Sequence, residues 1–404
     1  MVLRRYMHKR ERHFAMLNDN RTVQPFDLGP EFVVDHVNGD DPRKILAEHS
    51  RWAVENSDEH FAAPEGIQFS LDRRLYPSTA SINAADLKKP VKQAEVDMLT
   101  WRSAVETPSA ENNTAYATYF PSKRSADTLV RMSVASTRTR ANAPESLIGT
   151  DGFAGGTGDA DKSVRAPSKG SAVIILPHWN AKAGTYFDLA KFFNKVGLSA
   201  LRLTLPYHEE RMPPELERAD HLVAPNVGRS LQSIRQAILD TRAAVTWLKE
   251  QGYEKVGIVG TSIGSCVSFM AFVHDLRIDA AVFNHVSGYM ADVVWHGLST
   301  YHVRKSFGDN ITLDELREYW LPVSPMAYME KLASLPERPQ RYIYTKYDLS
   351  FPIDLSLETM DALRRHNIKH SEVSLPCGHY TLGEKPWVYL DGYKIISYLR
   401  KHLR

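Results

Sequence analysis

A serine between two glycines follows directly after a run of residues that favours a strand. The predicted strand 255–259 leads into Gly260-Thr261-Ser262-Ile263-Gly264, and an apolar segment that favours a helix comes next. Glycines at both ends of such a turn leave room for a tight bend, where a Cβ atom would crowd the neighbouring chain. The bend would expose Ser262 beside the unpaired N–H groups of a helix start, which stabilise negative charge. The pattern predicts that Ser262 is a nucleophile.

Two further residues could activate this serine, because a hydroxyl needs a histidine base that a carboxylate usually orients. Asp348 lies just after the predicted strand 341–345, and His379 lies just after the predicted strand 371–375. The order Ser, Asp, His along the chain is typical of a nucleophile on a strand-to-helix turn. Asp354 is a second candidate acid, but it is better placed to cap the following helix. We predict a triad of Ser262, His379 and Asp348.

Acyl transfer also requires N–H donors for the oxyanion that forms in the transition state. One donor is expected from the residue after the nucleophile, Ile263, and another from the loop after an earlier strand. That loop contains Trp179 and Asn180, of which we favour Trp179. Candidate substrate-binding residues lie in the loops after the strands and in an aromatic segment: His178, Tyr207, His208, Arg211 and Trp295. For Tyr207, His208 and Arg211, ordinary loop packing is an equally good interpretation.

The elements that must position these residues alternate between strand and helix. Predicted strands are 172–176, 199–203, 255–259, 280–284, 341–345 and 371–375, and predicted helices are 187–195, 230–251, 263–275, 355–366 and 390–403. This alternation predicts an α/β fold with a mostly parallel central sheet flanked by helices. The β-rich segments 98–101 and 114–120 predict a hairpin before it.

Composition divides the chain into an accessory region, residues 1–95, and a catalytic domain, residues 96–404. Within the domain, residues 122–170 are rich in Ser, Thr and Gly and poor in large apolar side chains, which predicts a flexible insertion. Residues 289–334 are aromatic and favour helices, which predicts a cap-like insertion over the active edge of the sheet. Residues 1–95 are interpreted as a helical and irregular extension.

Several classes of function are disfavoured by the sequence. Fifty Lys and Arg against 48 Asp and Glu give a net charge of +2, too balanced for a protein that binds nucleic acid through phosphate neutralisation. Apolar runs are only strand-sized, so we expect no membrane span, and the lack of a signal-like N-terminus favours the cytoplasm. Residues 208–212 begin like a zinc-protease helix, but Met212 replaces the second histidine. We expect no metal and no cofactor.

Three short segments carry a resemblance to a known family: Pro177-His178-Trp179, Leu205-Pro206-Tyr207-His208 and Cys377-Gly378-His379-Tyr380. From about residue 171 onward the chain resembles the α/β-hydrolase superfamily, and within it the uncharacterised esterase-like proteins with abhydrolase domains. The resemblance implies an eight-stranded, mostly parallel sheet and serine hydrolase activity on carboxylic esters. Trp179 departs from the family, because many members have glycine after the histidine of this loop.

The residues and the resemblance together predict a serine hydrolase acting on a small ester or lipid-like molecule. An alternative is a peptidase or acylaminoacyl hydrolase of the prolyl-oligopeptidase branch, although about 170 residues before the domain core are too few for the usual propeller. A second alternative is a non-catalytic binding protein with the same fold. The complete predicted triad argues against it.

Overall fold

Nine strands form the sheet in the computed structural model, which describes residues 2–17, 20–34, 41–78, 92–122 and 169–404. The strands are β1 Phe69–Pro77, β2 Gln93–Arg102, β3 Thr114–Phe120, β4 Ser171–Leu176, β5 Ser199–Thr204, β6 Lys255–Thr261, β7 Ile278–Asn284, β8 Gln340–Thr345 and β9 Ser371–Leu375. Their order is β1-β2-β3-β5-β4-β6-β7-β8-β9. The first three are antiparallel to their neighbours, and the six from β5 to β9 in this order are parallel. The predicted α/β fold with a mostly parallel sheet is confirmed.

Twelve α-helices connect and cover these strands in the described part of the chain. They are α1 Val2–Ala15, α2 Pro42–Glu55, α3 Ser57–His60, α4 Phe187–Lys195, α5 Val227–Glu250, α6 Ile263–His274, α7 Met290–His296, α8 Tyr301–Phe307, α9 Leu313–Tyr319, α10 Met329–Ser334, α11 Ile353–Arg365 and α12 Trp387–His402. None of the described helices is both long and apolar enough to cross a membrane.

Alternate residues of the central strands supply two separate cores. In β4, Ala172, Ile174 and Leu176 face a core shared with α5 and α6. Val173 and Ile175 face the opposite core, which is shared with α4 and α12. Because successive side chains of a strand point to opposite faces, a strand buried on both faces has a continuous apolar sequence. This explains why the short apolar runs were good predictors of the parallel strands.

The sheet has one more strand than the resemblance implies. The extra strand is β1, which pairs with β2 in antiparallel register from Phe69 opposite Trp101 to Pro77 opposite Gln93. Most of β1 is solvent-exposed and carries charged side chains, so its sequence lacks a buried apolar face. The sheet therefore begins within residues 1–95, where we expected helices and irregular chain.

The segment that we expected to be a flexible insertion, residues 122–170, lies almost entirely outside the described residues. Its described flanks are held at the amino ends of the parallel strands. The Ser122 N–H donates to Ser199 Oγ at the start of β5 (3.0 Å), and the Lys169 N–H donates to the Gly252 carbonyl shortly before β6 (3.3 Å).

The aromatic segment 289–334 folds into the short helices α7 to α10. Its large side chains are mostly core: Phe307, Trp320 and Tyr328 are buried in the cluster that includes α5 and α6. Helix α7 begins at Met290, shortly after β7, and therefore lies at the carboxyl edge of the sheet. This segment thus contributes packing as well as a wall beside that edge.

Candidate active site

Loops after five parallel strands meet at the carboxyl edge of the sheet. The loop after β4 contains His178 and Trp179, and β6 ends next to Ser262. His285 follows β7, Asp348 follows β8 and His379 follows β9; all three are buried or nearly so. Parallel strands place their carboxyl ends together, which is where ligand sites form in open α/β sheets.

Ser262 occupies a strained turn between β6 and α6. Its backbone has φ 59° and ψ −123°, a region that side-chain-bearing residues rarely adopt. A Cβ atom at Gly260 would lie 1.9 Å from the Gly264 carbonyl oxygen, and one at Gly264 would lie 2.5 Å from the Leu176 carbonyl oxygen. Both glycines are therefore required for this bend. The Ser262 N–H donates to the Asn284 carbonyl of β7 (2.9 Å), which fixes the turn to the sheet.

Asp348 and His379 are joined by a hydrogen bond. His379 Nδ1 lies 3.1 Å from Asp348 Oδ2, which leaves Nε2 as the free ring nitrogen. The other carboxylate oxygen, Oδ1, accepts the backbone N–H groups of Ser350 (2.8 Å) and Phe351 (2.7 Å). The Phe351 ring stacks on His379 with centroids 5.3 Å apart and planes at 9°. The loop after β8 therefore orients the carboxylate and supports one face of the imidazole.

The charges of this pair favour an ionised carboxylate and a basic imidazole. Burial alone would raise the pKa of Asp348, but the attraction of His379 and hydrogen bonds from two imidazoles hold that pKa well below its usual range. Burial opposes the imidazolium form of His379, yet the Asp348 charge and hydrogen bond outweigh it and raise the pKa of His379. A base whose proton affinity is raised in this way can accept a proton from a hydroxyl.

Sequence reasoning missed a second histidine at the carboxylate. His285 Nδ1 lies 2.8 Å from Asp348 Oδ2, and its side chain is only 1% exposed. Burial, together with repulsion from His379, lowers the pKa of His285 despite its bond to Asp348, so the ring is a neutral N–H donor. The available signal was its place directly after β7, equivalent to the places of Asp348 and His379 after their strands.

His285, Asp348 and His379 are also close enough together to be considered as a metal site. Among the described residues, theirs is the group of potential ligand atoms that lie within 4.8 Å of one another. The nitrogen-to-oxygen distances of 2.8 and 3.1 Å suit two N–H···O bonds to one oxygen. The arrangement is accounted for by hydrogen bonding.

Backbone donors face the same region as the serine. Ile263 is the first residue of α6, so its N–H has no acceptor within the helix. The Asn180 N–H donates to His208 Nε2 (2.8 Å), whereas no described residue accepts the backbone N–H of Trp179. His208 Nδ1 donates to the Pro206 carbonyl (2.9 Å), and burial lowers the pKa of His208 to about 4, so that Nε2 remains an acceptor. Of the two candidates in this loop, Trp179 is the one that retains a free donor.

A cavity of about 220 Å³ brings these groups together. Ser262, Ile263, Trp179 and His379 all line it. The Ser262 hydroxyl makes no hydrogen bond to a described residue, which fits the tendency of catalytic hydrogen bonds to tighten only when substrate binds. Apolar side chains form one part of the wall and polar ones another: Val223, Met290, Val293 and Val294 against Arg21, Arg218, Ser299 and Tyr380.

The candidate substrate-binding residues are placed differently from one another. His178 lines the cavity, and its Nδ1 lies 2.8 Å from the Tyr186 hydroxyl. His208 is buried behind the loop of Asn180 and acts on that backbone instead. Arg211 is fully buried, pairs with Asp240 (2.9 Å) and donates to backbone carbonyls, so no part of it reaches the cavity.

Tyr207 and Trp295, also candidate substrate-binding residues, do not line this cavity. Tyr207 is buried with its ring against His221 (centroids 5.1 Å apart) and lines a separate depression. The Trp295 ring stacks on Phe307, and the Arg304 guanidinium also lies over the Trp295 ring, 3.7 Å from its centroid. Packing, rather than substrate contact, explains both aromatic residues.

Asp354 lies apart from the triad as well. Helix α11 begins at Ile353, so Asp354 lies within its first turn, exposed to solvent. Among the described residues no side chain caps this helix, and the residue before it is Pro352. The expected capping bond is absent, although an acidic residue in a first turn still interacts favourably with the helix dipole.

A buried acid lies behind the serine turn. Asn284, whose carbonyl accepts the Ser262 N–H, donates its side-chain N–H to Asp391 Oδ2 (2.9 Å). The second oxygen of Asp391 has no hydrogen-bond partner among the described residues. Burial raises the pKa of Asp391 to about 7, against the opposing bond from Asn284. The residues that hold the Ser262 turn thus include a buried carboxyl group whose ionised form is unfavourable.

Strand order, the strained serine turn and the Ser, Asp, His order along the chain now decide the fold type. The protein has the α/β-hydrolase fold. The last eight strands of this fold run in the order 1-2-4-3-5-6-7-8 when numbered from β2, and β1 adds a further edge strand. The turn between β6 and α6 that carries Ser262 has the strand-turn-helix form in which this fold presents a serine.

No family model and no curated protein sequence matches the chain. Among solved structures it is similar to an acylaminoacyl peptidase of Pyrococcus horikoshii, at 12% identity over 83% of this chain and 42% of the peptidase (TM-score 0.47). It is also similar to an esterase of Pyrococcus furiosus, at 13% identity over 83% of this chain and 94% of that chain (TM-score 0.43).

A third structure with this similarity is a cold-adapted esterase from an Arctic intertidal metagenomic library, at 14% identity over 78% of this chain and 98% of the esterase (TM-score 0.44). The matched part of the peptidase is less than half of its length.

Proposed function

We propose that this α/β-hydrolase-fold protein is a serine hydrolase that cleaves small carboxylic esters through an acyl-enzyme. The observation that carries the proposal is that Ser262 and His379 line one cavity while Asp348 binds the far side of the imidazole. The strained turn of Ser262 adds to it, because such strain is retained where it serves a function.

In the first half of the reaction Ser262 Oγ attacks the ester carbonyl. His379 Nε2 takes the hydroxyl proton, and Asp348 stabilises the imidazolium that forms through the bond at Nδ1. The backbone N–H groups of Ile263 and Trp179 stabilise the negative oxygen of the tetrahedral intermediate. His379 then passes its proton to the departing alcohol, which leaves an acyl group on Ser262.

In the second half a water molecule replaces the alcohol. His379 accepts a proton from this water as it attacks the acyl carbonyl, and the same donors stabilise the second oxyanion. Collapse of that intermediate returns the proton to Ser262 Oγ and releases the acid. His379 mediates each of these proton transfers.

The cavity wall favours an acyl or alkyl group of limited size. The side chains of Val223, Met290, Val293 and Val294 form the apolar wall, and the volume is about 220 Å³. Most small-molecule sites pair an apolar surface with a few polar groups that fix orientation. We propose short to medium chain esters as the substrate class.

Covalent labelling with a fluorophosphonate probe tests the nucleophile. The wild type should be labelled, and Ser262→Ala should lose both labelling and ester hydrolysis, with kcat reduced by about 10⁶-fold. Ser299 is a matched control, since it is a serine of the same cavity whose Oγ bonds to Ser350 and Tyr380. Ser299→Ala should retain the label. Absence of Ser262-dependent labelling in folded protein would favour a non-catalytic binding protein.

Hydrolysis of p-nitrophenyl esters of graded chain length, beside aminoacyl anilides, tests the substrate class. We expect kcat/KM to be highest for a short or medium acyl chain and to fall as the chain outgrows the cavity. Faster cleavage of the anilides than of every ester would replace the esterase proposal with a peptidase.

A further inference from the structure

The first helix of the chain packs on the loop that carries His379. Three of its residues, Met7, Glu11 and Ala15, are buried, and their spacing of four residues places them on one helix face. Met7 belongs to the same apolar cluster as Cys377 and Leu382, which lie on either side of His379 in the sequence. Most of the remaining helix surface is exposed and basic. The buried face of α1 is therefore directed at this loop.

Glu11 is fully buried and bonded to the backbone beside His379. Its Oε2 accepts the Tyr380 N–H (3.1 Å), and its Oε1 accepts the Thr381 N–H (2.8 Å). These two residues follow His379 directly. Both oxygens of one carboxylate are thus used to fix the chain immediately after the candidate base.

Gly378, the residue before His379, packs so closely against the same carboxylate that it has no room for a side chain. A Cβ atom at Gly378 would lie 2.3 Å from Glu11 Cδ, which is closer than real contacts allow. The Gly378 N–H donates in turn to Thr381 Oγ1 (2.8 Å), which closes the loop around the histidine. Glu11 therefore touches the loop on both sides of His379.

Two arginines form further polar contacts between α1 and the loop of His379. Arg10 forms an ion pair with Glu384, and Arg21, just beyond the helix, donates to the Ala15 carbonyl (2.6 Å) and to the Tyr380 hydroxyl (3.2 Å). Arg10 and Glu384 are partly exposed, and such pairs contribute little stability. Glu11 is the charged residue of α1 that is desolvated.

A buried carboxylate is costly unless hydrogen bonds compensate it, and the two N–H groups that compensate Glu11 belong to the residues directly after His379. We propose that Glu11 is a positioning residue of the active site, which holds the loop of His379 so that the imidazole stays between Asp348 and Ser262. This inference rests on the proposed serine hydrolase function. It gives the N-terminal region a role in catalysis.

The charge of Glu11 also interacts with the imidazole of His379. Four groups that interact electrostatically face His379 from different parts of the fold: Asp348, His285, His178 and Glu11. The Glu11 carboxylate acts in the same direction as Asp348 and raises the pKa of His379. Removal of this charge should make the imidazolium less stable and keep the base neutral to lower pH.

The test compares Glu11→Gln with Glu11→Ala in the full chain. Glu11→Gln keeps one acceptor oxygen and the shape of the side chain, so we expect kcat to fall about 10-fold with KM within about twofold. The acid limb of the kcat/KM profile should move about 0.3 to 1 pH unit lower. Glu11→Ala loses both acceptors and should lose about 100-fold in kcat. If Glu11→Ala does not fold, Glu11→Gln carries the test.

Glu384→Gln is the matched control, because it removes the ion pair between the same helix and loop without touching the N–H groups at His379. It should keep wild-type kcat and the wild-type acid limb. A folded Glu11→Gln with unchanged kcat and pH profile would overturn the inference. A loss of kcat without movement of the acid limb would assign Glu11 a structural role only.

Failure of the proposed function is distinguishable from failure of this inference. If the wild type is not labelled at Ser262, the hydrolase proposal fails. NMR titration of His379 in wild type and Glu11→Gln then tests the electrostatic and positional role directly, since the pKa of His379 should be lower in the variant. Identical titration in the two proteins would reject the role of Glu11.

Discussion

The imidazoles of His285 and His379 lie with ring centroids 4.3 Å apart, and both direct Nδ1 at the same carboxylate oxygen, Oδ2 of Asp348. Two cationic rings at this separation would repel each other strongly, so the pair carries at most one positive charge. Burial keeps that charge off His285, whose pKa is lowered, and leaves it to His379, whose pKa is raised. The second histidine thus fixes the carboxylate without competing for the proton.

We predict that His285→Leu reduces kcat about 10- to 100-fold, because Asp348 loses a buried N–H donor and the freedom of its carboxylate increases. His285→Gln has a similar length and a side-chain N–H, and it should recover much of the loss. Steady-state kinetics and thermal unfolding of both variants provide the measurement. Equal activity of the two variants would show that the N–H donor does not matter.

Asp348→Asn should reduce kcat by about 10⁴-fold, as expected when the group that orients the base is neutralised. Because the Asp348 charge raises the pKa of His379, its removal should also move the acid limb of the kcat/KM profile to lower pH. In the wild type that limb should lie above the ordinary histidine pKa of about 6.5. Asp354→Asn changes an exposed acid six residues away and should behave as wild type in both respects.

Gly264→Ala should lower the free energy of unfolding by about 1 to 3 kcal/mol, since the new methyl group would meet the backbone carbonyls of Leu176 and Pro177 at 2.5 and 2.6 Å. The displaced turn should also weaken labelling of Ser262. Gly392→Ala is the control, because it lies within α12 and no heavy atom of a described residue lies within 4 Å of the added group. That variant should be about 0.5 to 1 kcal/mol more stable than wild type. Urea unfolding measures both.

Asp391→Asn should stabilise the protein more at pH 8 than at pH 5. The pKa of Asp391 is raised to about 7 in the fold, so the folded state retains a proton that the unfolded state has lost. The free energy of unfolding of the wild type therefore falls as pH rises from the ordinary pKa of an aspartate to about 7. The total decrease should reach at most about 4 kcal/mol above pH 7. Urea unfolding of both proteins at the two pH values checks this. A difference that does not change with pH would contradict it.

The parallel strands and their helices were predictable because their local patterns are strong. Strand β9 and helix α4 have the predicted bounds, and the other parallel strands differ by one or two residues at an end. Each buried strand is a continuous apolar run, and the glycines around Ser262 mark the turn. Ser262, Asp348 and His379 each follow a strand with a clear pattern and were predictable, whereas His285 follows an equally clear strand and was missed.

Other parts depend on contacts between residues far apart in the sequence. Strand β1 is polar and exposed, and it exists because β2 offers a free edge. Glu11 lies 369 residues before the N–H group of Tyr380 that it accepts. Nothing near Glu11 in the sequence indicates a buried acid, since its neighbours are basic. The packing of Tyr207, Arg211 and Trp295 was not evident from the neighbouring sequence either, since it depends on their partners in the fold, such as Asp240 for Arg211.

Ser122 and Lys169 leave and rejoin the described fold on the side opposite the catalytic cavity, at the starts of strands whose far ends carry the reactive groups. Because neither residue lines that cavity, a substitution at either anchor point should leave the path from solvent to Ser262 unchanged.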